Sequence, residues 1–181
     1  MSKPDRKGTA EVAIILAAGQ GTRMHSNIPK VLHPILGKPM LDHVLSAVAA
    51  VGAKHTVVVV GHGRDEVISH LQNWPEVTIA VQETQDGTGH AVSVALASLP
   101  DSISGPALVL SGDAPLITQQ DLENLIATMT DNSAAILTAE LADADGYGRI
   151  VHDSDGTVLK IVEHRDANDS ELAIKQVNSG T

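Results

Sequence analysis

The chain has 181 residues, enough for one domain with a substantial core, and its formal net charge of −10 argues against a general nucleic-acid or anionic-membrane surface. It has no cysteine, which excludes disulfides, thiolate zinc sites and cysteine nucleophiles and fits a reducing, cytoplasmic compartment. With no Phe, one Trp and one Tyr, the core must be Ala, Val, Ile and Leu, and little remains for base-stacking platforms.

No apolar run approaches the roughly 18 residues of a membrane span. The opening is polar, carries Pro4 and Gly8, and lacks the apolar segment of a secretory signal. Residues 1–10 read as a disordered tail.

Val12 to Leu16 has the length and branching of a buried strand. Gly19 and Gly21 follow and let the backbone turn sharply and approach a ligand closely. Arg23 and Lys30 come next. Strand, glycine turn and cations suit a phosphate chain, with backbone N–H groups to cradle it and positive charge to neutralise it. Neither common phosphate motif fits: there is no Gly-Lys-Ser/Thr of a Walker A loop, and Met24 stands where a dinucleotide fingerprint needs its third glycine. The charge context supports an anion site all the same. The chain carries 22 acids, so about three or four belong in a 30-residue window. Val12 to Leu41 holds none, yet it contains Arg23, Lys30, Lys38, His25 and His33.

Leu41, Val44, Leu45 and Val48 recur at helical spacing, and Gly52 is a plausible C-cap. His55–Val60 and Val77–Val81 read as strands, with a short helix from about Arg64 to Gln72 between them. Gln82 to Gly89 is a polar loop with two glycines, and Gln82 offers an amide that suits a pyrimidine edge, although a solvated connection would look the same. A helix from His90 to Leu99 packs Val92, Ala95, Leu96 and Leu99. Ala107–Leu110 is a fourth buried strand, ending in Ser111-Gly-Asp-Ala-Pro115. An acid at the carboxyl end of a central strand sits where open α/β sheets bind ligands. Asp113 is therefore a candidate Mg²⁺ ligand, against the alternative of an Asp closing a turn before Pro115.

Thr118 and Asp121 have the spacing of a capping box, which predicts a helix to about Met129. Ala134–Leu141 reads as a fifth strand, broken by Gly146-Tyr-Gly-Arg149. Ile150-Val151 and Val158–Glu163 pair around the turn signal Asp153-Ser-Asp-Gly156. Glu163 and Asn178 end apparent strands. The nine histidines show no metal-binding spacing, and no Gly-x-Ser-x-Gly elbow is present. Alternating strands and helices predict an α/β fold with a largely parallel sheet.

Leu16-Ala-Ala-Gly-x-Gly-Thr-Arg-Met, then Pro29-Lys-Val-Leu, then Gly37-Lys-Pro-Met40 resembles the sugar-1-phosphate nucleotidyltransferases. His33 and the later segments are most similar to the bifunctional N-acetylglucosamine-1-phosphate uridyltransferases. The resemblance runs from about Val12 to Thr181. It implies a Rossmann-like nucleotide-diphospho-sugar transferase fold, a mixed, mostly parallel sheet flanked by helices, over residues 11–181. It also implies uridylyl transfer from UTP to N-acetylglucosamine-1-phosphate, with Mg²⁺ as cofactor, in peptidoglycan and cell-envelope precursor synthesis.

By the same resemblance, Leu16, Ala17, Ala18, Gly19, Ser111, Gly112 and Asp113 belong to the nucleotide site. Gln82, Gly87 and Thr88 contact the uracil. Arg23 and Lys30 act in catalysis by neutralising phosphate charge, Asp113 holds the metal, and Gly148, Glu163 and Asn178 contact the sugar. The family's domain continues past Asn178 to a second metal ligand, and a β-helix of hexapeptide repeats carries an acetyltransferase. Neither is in this chain, so a truncated domain is expected, monomeric where full-length members are trimeric. Two alternatives stay open: a nucleotidyltransferase of another specificity, and a non-catalytic nucleotide-sugar sensor.

Overall fold

The structure is a computed structural model that describes residues 10–19, 21, 24, 26–129 and 134–181. Residues 1–9 of the expected tail, and the candidate catalytic Arg23 with His25, lie outside the described residues. The chain forms two compact units, Met1–Ser133 and Ala134–Thr181.

The first unit is built on β1 (Val12–Ala17), β4 (His55–Val60), β5 (Val77–Val81) and β6 (Ala107–Ser111). These make one four-stranded parallel sheet in the order β5-β4-β1-β6. Every strand is a short β-branched or apolar run, as a sheet covered on both faces demands. Ala13, Ile15, Val58, Val60, Leu108 and Leu110 face one way, onto α1 (Met40–Val51), α2 (Arg64–Leu71) and α4 (Gln119–Thr128). Val12, Ile14, Val57, Val59 and Ala80 face the other way, onto α3 (Gly87–Ala97). The alternation along β1 thus divides its side chains between two cores. Full burial of each such Val or Ile contributes about 1.5–3 kcal/mol.

Between β1 and α1 lie a 3-10 turn, Lys30–Leu32, and a small hairpin of β2 (Pro34–Ile35) and β3 (Lys38–Pro39). α1 ends as predicted, with Gly52 left-handed at φ 74° and its N–H bonded to the Ala49 carbonyl. The single tryptophan braces the two helices on its side. Trp74 Nε1 donates to Asp42 Oδ1 at 3.1 Å, and His70 Nε2 lies 2.6 Å from the same oxygen.

The second unit is an antiparallel sheet of β7 (Thr138–Glu140), β8 (Arg149–His152), β9 (Val158–Val162) and β10 (Gln176–Asn178), in the order β7-β10-β8-β9, with one short helix, α5 (Asp169–Leu172). The four-stranded parallel sheet and the four-stranded antiparallel sheet therefore belong to separate units.

Four local expectations change. Ala10, assigned to the tail, is fully buried, and its carbonyl accepts the Lys54 N–H, extending the β1–β4 ladder. α3 starts at Gly87 instead of His90: Gly87, at φ +84°, turns the chain into the helix, which absorbs the second half of the glycine loop. β7 covers three residues of the strand expected over Ala134–Leu141. α5 was not foreseen. Asn168 caps it by accepting the Ser170 and Glu171 N–H groups, and the Glu171 side chain answers with a bond from Asn168 N–H.

Candidate functional site

The strand order places the site. From β1 the chain steps outward to β4 and β5, then returns to lay β6 on the other side of β1. The order reverses between β1 and β6, and open parallel sheets bind ligands beyond the carboxyl ends of the strands at such a point. Leu16 and Ser111 are register partners there, and Gly112 N–H bonds to the Leu16 carbonyl at 2.9 Å. A Cβ on Gly112 would sit 3.0 Å from that oxygen, so glycine lets the two strand ends close.

A cavity of about 480 Å³ opens at this end of the sheet, within the range that holds small-molecule ligands. Leu16, Ala18 and Gly19 line it from the end of β1, and Ser111 and Asp113 from the end of β6. Gln82, after β5, and Gly87 and Thr88, at the start of α3, close another side. Lys30 enters from the 3-10 turn. Of the residues expected at the nucleotide site in this unit, nine line this cavity, while Ala17 and Gly112 are not in its lining. Gly21, expected in the ligand-approaching turn, lines it too, and Met24, Val31, Gln85 and Ala91, which were not expected at the site, complete the lining.

Lys30 and Asp113 form an ion pair, with their side chains 35% and 25% exposed. Ser111 Oγ donates to the other Asp113 oxygen. Burial raises the Asp113 pKa, but hydrogen bonds from Lys30 and Ser111, the Lys30 charge and the residue's own N–H together outweigh it. The carboxyl is held below its ordinary value and is ionised at neutral pH. Gly21 makes room for this pair: it sits at φ +59°, and a Cβ there would be 2.8 Å from Lys30 Cβ.

Gln82 is 4% exposed, and its amide Nε2 lies 3.2 Å from both the Gly87 carbonyl and His90 Nδ1. A buried glutamine amide held by α3 presents a fixed polar edge, as a nucleobase reader requires. The N-terminus of the 11-residue α3 opens at Gly87 and Thr88, where free N–H groups and the helix dipole favour negative charge.

Among the described residues lining the cavity, Asp113 is the one carboxylate, and no group of three or more His, Asp or Glu could hold a metal. That donor set does not suit an all-protein cage. It does suit Mg²⁺, which commonly takes one or two carboxylates and completes its shell with substrate phosphates and water.

In the second unit three other candidate residues meet. β8 runs antiparallel to both β9 and β10, so the start of β8 lies beside the ends of its two neighbours. Gly148 precedes β8, Glu163 follows β9 and Asn178 closes β10. Asn178 N–H donates to the Gly148 carbonyl at 2.9 Å, and a Cβ on Gly148 would lie 3.5 Å from Glu163 Oε1. Beneath them Arg149 is 3% exposed, and its guanidinium donates to the Tyr147 and Ile174 carbonyls, the latter at 3.1 Å. Nothing in the pattern around Arg149 signals an interior arginine.

Residues 13–166 match the family described as the MobA-like NTP transferase domain. The chain is similar to the Bifunctional protein GlmU of Streptomyces coelicolor, 48% identical over 171 residues covering 92% of this chain and 36% of that protein. It is similar to the Bifunctional protein GlmU of Exiguobacterium sp., 50% identical over 171 residues covering 93% and 37%. A third relative, the Bifunctional protein GlmU of Cellvibrio japonicus, is 47% identical over 167 residues. The chain thus spans a little over a third of these relatives' length. With a matched region that contains every residue of the cavity and the parallel sheet from Ala13 on, the chain belongs to the MobA-like NTP transferase domain family.

Proposed function

We propose that this chain carries out uridylyl transfer from UTP to N-acetylglucosamine-1-phosphate, giving UDP-N-acetylglucosamine and pyrophosphate. The observation that carries the proposal is the single cavity that gathers a buried amide, a helix N-terminus, a lysine and a half-buried carboxylate at the sheet's switch point. The bifunctional relatives add to it.

The phosphate oxygen of the sugar-1-phosphate attacks the α-phosphorus of UTP, the α–β bridging bond breaks, and pyrophosphate leaves with that electron pair. The nucleophile is already an anion, so no side-chain base is required. In-line positioning and charge neutralisation are what the protein supplies. Gln82, Gly87 and Thr88 read the uracil. Backbone N–H groups from Ala17 to Gly21 hold the phosphates, and Lys30, with Arg23, offsets the charge that grows on the leaving group. Asp113, oriented by Ser111, would hold Mg²⁺, which when bound neutralises phosphate oxygens. Gly148, Glu163 and Asn178 bind the sugar. The product belongs to peptidoglycan and cell-envelope precursor synthesis in the cytoplasm.

Pyrophosphate release, measured with each common nucleoside triphosphate and N-acetylglucosamine-1-phosphate, tests the reading. Turnover fastest with UTP is expected. Preference for another triphosphate overturns the uridylyl assignment, and binding without turnover overturns catalysis.

A further inference from the structure

We infer that Gln85 is a positioning residue for the nucleotide site, a clasp that fixes the peptide joining Ala18 to Gly19 and so aims the Gly19 N–H at the triphosphate. The inference rests on the uridylyl reading and adds to it a residue which that reading leaves idle.

β1 makes its last ladder pair at Ala17 with Val60. The next carbonyl, that of Ala18, therefore has no strand partner, although the residue is 8% exposed. His62 N–H reaches it at 3.4 Å, a long bond. Gln85 Nε2 donates to it at 2.8 Å, from a loop 67 positions away. The backbone here is crowded from below, since a Cβ on Gly61 would sit 2.9 Å from Ala18 Cβ. Ala18 is thus pinned by packing on one side and by the clasp on the other.

A trans peptide points its C=O and its N–H in opposite directions. Holding the Ala18 oxygen therefore sets the direction of the Gly19 N–H. Among the described residues that N–H has no acceptor. A Cβ at Gly19 would meet nothing within 4 Å, so the space around it is open. Gly19 and Gln85 both line the cavity. An unspent donor on a cavity-lining residue with open space beside it, its peptide fixed from the opposite loop, is what a phosphate oxygen needs. Gln85 is an exposed side chain on a polar loop, so the bond has little to add to folding.

Gln85→Ala removes the donor, and Gln85→Glu replaces it with an oxygen that can only accept. In the ligand-free protein both variants are expected to shift the Gly19 amide resonance. In steady-state assays both should raise the KM for UTP about tenfold, the scale of one hydrogen bond. The KM for the sugar phosphate should stay at its wild-type value. An unmoved Gly19 resonance in Gln85→Ala, or a wild-type KM for UTP, overturns the clasp. A wild-type protein that turns over no UTP overturns the uridylyl reading alone, because the ligand-free resonance judges the clasp without substrate.

Discussion

Lys30 and Asp113 neutralise each other in the ligand-free site, and each is also the group on which the proposed chemistry leans. The lysine charge has to pass from carboxylate to phosphate when substrate enters. Lys30→Ala should therefore lower turnover about 10²–10³-fold, the usual effect of deleting one charge-stabilising group. Its effect on folding should be small, below about 1 kcal/mol, because both side chains remain a quarter to a third exposed and solvent screens the pair. Asp113 has a depressed carboxyl pKa, so the pair's contribution is fully present above the unfolded value of about 3.9 and is lost as pH falls through the folded one. Urea melts of wild type and Lys30→Ala should differ slightly at neutral pH and converge in strong acid. A neutral-pH rate loss below tenfold would remove Lys30 from the mechanism. Both residues were legible in the sequence, because an acid-free cationic window and an acid at a strand end are unusual. Gln85 and Arg149 were not. A glutamine in a polar loop and an arginine beside glycines look solvated until the fold supplies a distant carbonyl for each.

α4 shows how far local spacing carries. The capping box read from Thr118 and Asp121 is present in full: Thr118 accepts the Asp121 N–H, and the Asp121 carboxylate accepts the Thr118 N–H at 2.9 Å. Thr118→Ala should cost about 1 kcal/mol and lower the melting temperature by roughly 2–4 °C for a chain of this size. Asp121 titrates below its ordinary value because the Thr118 hydroxyl, and then its N–H, bond to the ionised form. That stabilisation is present above about pH 3.9 and fades as pH drops through the lowered pKa. An Asp121→Asn variant should therefore lose stability against wild type at neutral pH and match it once the pH has fallen below the lowered pKa. Equal melting at both pH values would rule the cap out as a contributor. α5 carries the same device yet escaped notice, since four residues give no periodicity to detect. α3 was placed three residues late because glycines at Gly87 and Gly89 disfavour helix, a local preference that the surrounding packing overrides.

Across the molecule, the lack of phenylalanine shifts the burden of cohesion onto branched aliphatics in close contact. Ile15 is fully buried on the face that carries α1, α2 and α4. Ile15→Ala should destabilise by about 2–5 kcal/mol, because aliphatic neighbours collapse only partly into the space left. Chemical denaturation would measure it, and a loss under 1 kcal/mol would contradict the packing. The parallel sheet was legible because uninterrupted apolar runs separated by helical spacing allow few other folds. The division into two sheets was not, since strand runs carry no label for the sheet they join.

That same scarcity of aromatic rings gives the chain its own optical labels. The lone indole, Trp74, belongs to the first unit, and the lone phenol, Tyr147, to the second. Fluorescence excited selectively in the indole follows the melting of one, and ultraviolet difference absorbance of the phenol follows the other. An unfolding experiment on the unlabelled protein can therefore tell whether the two units come apart together or in turn.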